Sequence, residues 1–113
     1  MRFINNPIEI LFEIVKERYP DTDCDIIIGM QMTDGKETLG CTLFPDDPNE
    51  RVVIEIHPTL SLENATEILA HELAHVIAGK EADHNEHWNA IFAELHVVFQ
   101  EKLINRFEQY NLV

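Results

Sequence analysis

Apolar positions change their period along this chain, and each period predicts an element. Between Pro7 and Tyr19, Ile8, Leu11, Phe12 and Val15 recur at three- and four-residue spacing, the stripe of an amphipathic helix, with Asn6 able to cap it and Pro7 suited to its first position. Glu9, Glu13 and Glu17 form a second stripe, which like-charge repulsion predicts to face water, and Pro20 ends the helix. From Asp23 to Phe44 the period falls to two. Ile26, Ile28 and Met30 alternate, then Leu39, Cys41 and Leu43, and Thr33, Asp34, Gly35 and Lys36 between them read as a hairpin turn. A third run, Arg51 to His57, puts Val52, Ile54 and Ile56 on one face and Val53, Glu55 and His57 on the other, after a turn at Pro45 to Asn49. Three short strands with tight connections predict a small antiparallel sheet with one buried face.

Pro58 closes the last strand, Ser61 offers a cap, and strong helix formers run from Ala65 to Ala78 until Gly79 supplies a stop. A polar connection, Lys80 to Asn85, leads to a long segment in which Trp88, Ile91, Phe92, Leu95, Val98, Phe99, Leu103 and Phe107 keep helical spacing. The predicted architecture is α+β: an N-terminal helix, a three-stranded antiparallel sheet, a capped helix and a long C-terminal helix. At 113 residues this reads as a single domain spanning residues 1–113.

Composition removes several function classes. No stretch approaches the roughly 20 apolar residues of a membrane span, and Met1-Arg2 is followed by an amphipathic segment instead of a signal-peptide core. Cys24 and Cys41 lack C-x-x-C spacing and are too few for a disulfide framework, so a cytoplasmic location with reduced thiols is expected. Eight Lys and Arg against 21 Asp and Glu give a net charge of −13, with acids in excess in both halves of the chain. Such a surface repels phosphate backbones, so stable nucleic-acid binding and docking on anionic membranes are not expected.

Histidine is distributed less evenly, with five of the six lying between His71 and His96. On the capped helix stands His71-Glu72-Leu73-Ala74-His75, an H-E-x-x-H pattern. A shuffle of this composition contains that pattern roughly once in twenty-five, so the helical setting carries the weight. Histidines four apart share a helix face and can converge on one ion, while Glu72, one step round, can take a proton from water at an open coordination position. Ile68, Leu69, Leu73 and Val76 form the apolar face beside them, where imidazoles and a carboxylate need a metal or hydrogen-bond partners. A catalytic zinc takes three protein ligands, so a third donor must come from elsewhere: His84, His87, His96 or Glu94. His84 is best placed, because the chain can fold back after Gly79. His87 reads as a surface or substrate-facing group, and His96 as a partly buried structural residue.

These residues resemble the SprT-like zinc metalloproteases, whose pattern is H-E-x-x-H followed by H-G-x-x-F/W. Here His71 to His75 and then His84-Asn85-Glu86-His87-Trp88 occupy that pattern, and the resemblance spans Val52 to Leu95 at motif level. It implies a minimal zincin-like domain in which His71, His75 and His84 bind Zn²⁺, Glu72 is the general base and Trp88 packs beneath the site. It also implies that the strand Arg51 to His57 borders the cleft, where an extended peptide or protein substrate could add as another strand; His87, Trp88 and His57 are the candidates for contact with substrate or for support behind the ligands. The chain departs from the family at Asn85, in place of the usual glycine, and has no cysteine-rich zinc ribbon. Its acidic charge also differs from what a DNA-guided member needs.

Three other readings compete. A repressor-cleaving H-E-x-x-H protease would use a Glu third ligand, for which Glu94 is the candidate. A small RNA-processing hydrolase would share H-x-x-x-H and Asp83-His84, but carries another residue where Glu72 stands. A non-catalytic zinc-binding interaction domain would complete four ligands with His84 and His87, and would have no use for Glu72.

Overall fold

The structure, a computed structural model, describes residues 1–29 and 38–111. Its elements are α1 (Pro7–Arg18), β1 (Asp25–Ile28), β2 (Gly40–Leu43), β3 (Val53–Ile56), α2 (Leu62–Ala78), a 3₁₀ turn at Lys80–Ala82, and α3 (Glu86–Tyr110). The chain is thus α+β, with the N-terminal and long C-terminal helices where their patterns predict them. Met30 and the turn predicted at Thr33 to Lys36 lie outside the described residues. No helix among the described residues is long and apolar enough to cross a membrane.

Each helix starts where a side chain can satisfy its orphan amides. Asn6 Oδ1 accepts from the Ile8 amide at 2.9 Å, Ser61 Oγ from Asn64 at 3.2 Å, and Asn85 Oδ1 from Trp88 at 3.1 Å. Gly79 ends α2 at φ 95°, a left-handed value that a β-carbon disfavours, and its N–H closes on the His75 carbonyl.

Leu11 and Val15 are buried and Ile8 packs against the core, as the predicted stripe has them, but Phe12 is 43% exposed and Ile10 and Ile14 complete the buried face instead. Leu11 and Val15 can be flanked by Phe12 on one side or by Ile10 and Ile14 on the other, and the packed structure buries the isoleucines. With Phe12 outward, Glu17 reaches Lys102 at 3.3 Å and Glu13 reaches Arg106 at 3.4 Å. The acidic stripe therefore partly pairs across the α1–α3 interface instead of facing only water, although exposed pairs of this kind add little stability.

The sheet is mixed, not antiparallel, and its order is β1-β3-β2. β1 runs parallel to β3 (Ile26 opposite Ile54), and β2 runs antiparallel to β3 (Cys41 opposite Glu55). β1 and β2 are therefore not a hairpin pair. Burial explains the insertion of β3: Ile54, Glu55 and Ile56 are all buried, so this strand is covered on both faces and takes the central position. Charge reinforces the parallel start, since Arg51 bonds both Asp23 oxygens at 2.6 Å and Asp25 at 2.9 Å.

α2 lies across β2 and β3 on one side and against α1 and α3 on the other. Leu69, Leu73 and Ala74 join Ile10, Ile14, Ile54, Ile91 and Leu95 in one core. Close approach of the sheet to α2 needs Gly40, where a β-carbon would fall 2.5 Å from Ile68 Cγ2 and 3.3 Å from the Glu55 carbonyl. The chemistry-bearing turn of α2 is thereby held between sheet and α3.

Candidate metal centre

His71 and His75 lie one turn apart on α2, and Glu72 between them points towards β2. The third imidazole arrives by a fold-back. After Gly79 the chain makes a single 3₁₀ turn, and Asp83 adopts φ 48° and ψ −133°, a conformation that costs a non-glycine residue about 1–3 kcal/mol. That reversal aims His84 at the helix. Asn89 Nδ2 on α3 donates to the His84 carbonyl at 3.3 Å and to the Asn85 carbonyl at 3.0 Å, fixing the loop from below.

The three Nε2 atoms converge. His84 Nε2 is 3.1 Å from that of His75 and 3.3 Å from that of His71. A tetrahedral zinc with bonds of about 2.0–2.1 Å sets its ligand nitrogens about 3.3–3.4 Å apart, so these separations suit one ion. Hydrogen bonding alone is a poor account of the cluster, because a single Nε2 proton on His84 can be donated to only one of two neighbours. Among the described residues, His71, His75 and His84 are the group of ligand atoms able to share a metal ion. Burial lowers the pKa of His75, and the neighbouring His71 and His84 lower it further against a pull upward from Asp83, which favours the neutral imidazole that can bind a metal.

Around this donor set lies a second layer. Asp83 Oδ1 is 3.4 Å from His84 Nδ1, the ring nitrogen not used in the cluster, and a carboxylate on that side favours the tautomer that leaves Nε2 free to bind. Trp88, 6% exposed, forms the floor: its ring centroid is 4.7 Å from those of His71 and His84 and stacks at 5.2 Å on His75. Its indole N–H donates to the His71 carbonyl at 3.4 Å, and Phe92 stacks behind it at 5.1 Å.

Glu72 is 6% exposed, with Oε2 3.9 Å from His71 Nε2. Its Oε1 accepts from Thr42 Oγ1 at 2.9 Å, a bond carried by β2. Burial raises the Glu72 pKa, while Thr42 and the histidines pull it down. A carboxylate in this position is beside the three imidazoles without joining their cluster, and burial makes it more basic than a free carboxylate.

The remaining candidates stay apart from the cluster. Glu94 accepts from Arg18 at 3.1 Å and from Tyr19 Oη at 2.8 Å, so it ties α1 to α3. His87 is exposed on the first turn of α3, and His96 is exposed too, not partly buried as its spacing predicts. His57 follows β3 directly and its side chain bonds locally, with Nδ1 accepting from the Thr59 amide at 3.2 Å. β3, the strand expected to border the cleft, has both edges taken by β1 and β2, and β2 is the edge strand next to Glu72. Asn85, in place of a glycine, sits in an extended conformation and caps α3, so no glycine-only geometry is needed there.

Thr42, Asp83 and Asn89 are site residues that sequence pattern does not single out. Adjacency of Asp83 to His84 is the one local signal among them. Thr42 approaches Glu72 only because the sheet folds against α2. Comparison of the chain with protein-family models, curated proteins and solved structures gave no match.

Proposed function

We propose that this chain is a zinc-dependent peptidase of the SprT-like kind, working in a minimal zincin-like domain. The observation that carries the reading is the convergence of three imidazole Nε2 atoms beside a buried carboxylate that is not part of their cluster. A structural zinc site closes with four protein ligands, whereas three ligands and an adjacent base are the requirement for activating water. The ion, when bound, supplies a Lewis acid for the scissile carbonyl and lowers the pKa of water to about 7.

The chain's own residues do the rest. His71, His75 and His84 hold the ion, and Asp83 orients His84. Glu72 accepts the proton of the attacking water and returns it to the leaving amine, with Thr42 holding its carboxylate in place. A substrate backbone in extended form can lie along β2, whose outer edge is paired to no strand among the described residues. The repressor-cleaving alternative loses its support, because Glu94 is engaged by Arg18 and Tyr19.

The test is cleavage of a dye-quenched unfolded protein such as casein by the zinc-loaded chain. Hydrolysis by wild type, its loss in Glu72→Gln with zinc still bound, and loss of both zinc and hydrolysis in His84→Ala are expected. Equal cleavage by Glu72→Gln, or none by zinc-loaded wild type, overturns the proposal.

A further inference from the structure

Beyond the metal centre, α1, α2 and α3 enclose an apolar groove of about 530 Å³. Its size falls within the roughly 300–1,000 Å³ of ligand-binding clefts. Leu11, Leu95, Phe99 and Leu103 line its floor, and Leu62, 54% exposed, stands on its rim. Apolar surface gathered in a concavity marks an interaction site more often than the same residues scattered singly.

The rim adds a sign. Glu63 and Glu67 lie one turn apart on α2, and among the described residues no Lys or Arg lines the groove. Like charges at this spacing oppose helix formation by about 0.2–0.5 kcal/mol. The helix dipole offsets that for Glu63 in the first turn, but Glu67 lies beyond its reach. Among the described residues neither carboxylate has a cation within ion-pair range, and Arg18, Arg51, Lys80, Lys102 and Arg106 are paired with Glu94, Asp23 and Asp25, Asp46, Glu17 and Glu13.

We propose that this groove docks a cationic amphipathic helix of a partner polypeptide. Apolar side chains at i, i+3 or i+4 and i+7 enter the floor, and lysines or arginines on the flank pair with Glu63 and Glu67. Complementary charge selects basic segments and rejects acidic ones, which the acidic surface of the chain repels. The groove adjoins the candidate metal centre through Phe92, which lines it and stacks on Trp88, and Glu63, Glu67, His71 and His75 follow one another at four-residue steps along α2. A partner held here has its flanking residues delivered towards the histidines. Docking is separate from hydrolysis, so failure of the peptidase reading leaves it standing.

The test is fluorescence anisotropy of the full chain with a labelled Leu/Lys amphipathic peptide of about 18 residues, long enough to form a helix. A Leu/Glu peptide of the same pattern and a scrambled Leu/Lys peptide serve as comparisons. Wild type is expected to bind only the patterned Leu/Lys peptide, and Glu63→Lys/Glu67→Lys to weaken it by about tenfold or more. Asp21→Lys/Glu50→Lys, which changes net charge equally at exposed sites outside the groove, is expected to stay within about threefold of wild type. Leu103→Ala is expected to weaken binding without changing its salt dependence. Equal losses in the two charge-reversal variants, or comparable binding of the Leu/Glu or scrambled peptide, overturn the proposal. Self-association of the chain through the groove, seen as dimers that the peptide does not dissociate, overturns it as well.

Discussion

Replacing His84 by alanine tests the candidate metal centre most directly, because it removes the one imidazole of the cluster that the α2 helix does not supply. The side chain is 55% exposed, so its loss leaves no core cavity and the metal-free protein should melt within about 2–4 °C of wild type. Zinc binding is affected far more. Apparent binding free energies of about 10–16 kcal/mol for four-ligand zinc sites give roughly 2.5–4 kcal/mol per ligand, or about 10²–10³ in Kd. At a free zinc concentration about a thousandfold above the wild-type Kd, binding stabilises the fold by about 4.1 kcal/mol. A domain of this size gains roughly 4 °C per kcal/mol, so wild type should rise by about 15 °C. A variant with a Kd about three hundredfold higher gains about 0.9 kcal/mol at the same zinc level, or about 3–4 °C. Chelator competition measures the affinities, and calorimetric melting with and without zinc measures the stabilities. If His84→Ala binds zinc within about threefold of wild type, the three-histidine site is wrong, whatever the activity data say.

Four other outcomes follow from the geometry. Asp83→Asn keeps the side-chain size but removes the charge beside His84 Nδ1, and zinc affinity measured by chelator competition should fall by about 10–100-fold. Trp88, the single tryptophan, touches all three imidazoles, so saturating zinc should change its fluorescence in wild type and leave it unchanged in His71→Ala/His75→Ala. Gly40→Ala should cost about 1–3 kcal/mol in urea unfolding because its β-carbon meets Ile68, and Gly40→Ala/Ile68→Ala should lose less than the sum of the single changes. Tyr19 has its pKa raised from 10.0 to about 12, mainly by burial and then by its bond to Glu94. The folded state therefore holds that proton more tightly than the unfolded state, and the resulting stability is complete below about pH 10 and lost as pH rises towards 12. Phenolate absorbance of wild type and Tyr19→Phe should show one high-titrating tyrosine that the substitution removes, and a normal Tyr19 titration would refute the contact with Glu94.

Much of this protein follows from chemistry that is local in the sequence. Caps at Asn6, Ser61 and Asn85, the proline at position 7 and the stop at Gly79 act within a few residues, so the helices follow from short-range hydrogen bonding and backbone sterics. The pair His71 and His75 is legible for the same reason, since helical periodicity alone puts them on one face with Glu72 beside it. His84 is legible through Gly79, which ends the helix and lets the chain return.

Sheet order, the phase of α1 and the neighbours of Glu72 belong to tertiary structure, because each depends on competition between surfaces distant in sequence. Alternation in β1, β2 and β3 identifies strands but carries no pairing information, and an antiparallel sheet is expected only if neighbours in sequence pair. The fully covered strand takes the centre of the sheet, and in this chain that strand is β3. In α1 helical periodicity finds Leu11 and Val15, but only packing decides that Ile10 and Ile14 flank them in place of Phe12 and that Glu13 and Glu17 reach Arg106 and Lys102. Thr42 meets Glu72 across 30 positions of sequence, Asp83 is held in an unfavourable backbone conformation to aim His84, and Glu94 is withdrawn into the bond with Arg18 and Tyr19. The helix that carries His71 and His75 is thus a local property of the sequence, while the approach of His84 and the setting of Glu72 exist only once sheet, loop and α3 close around it.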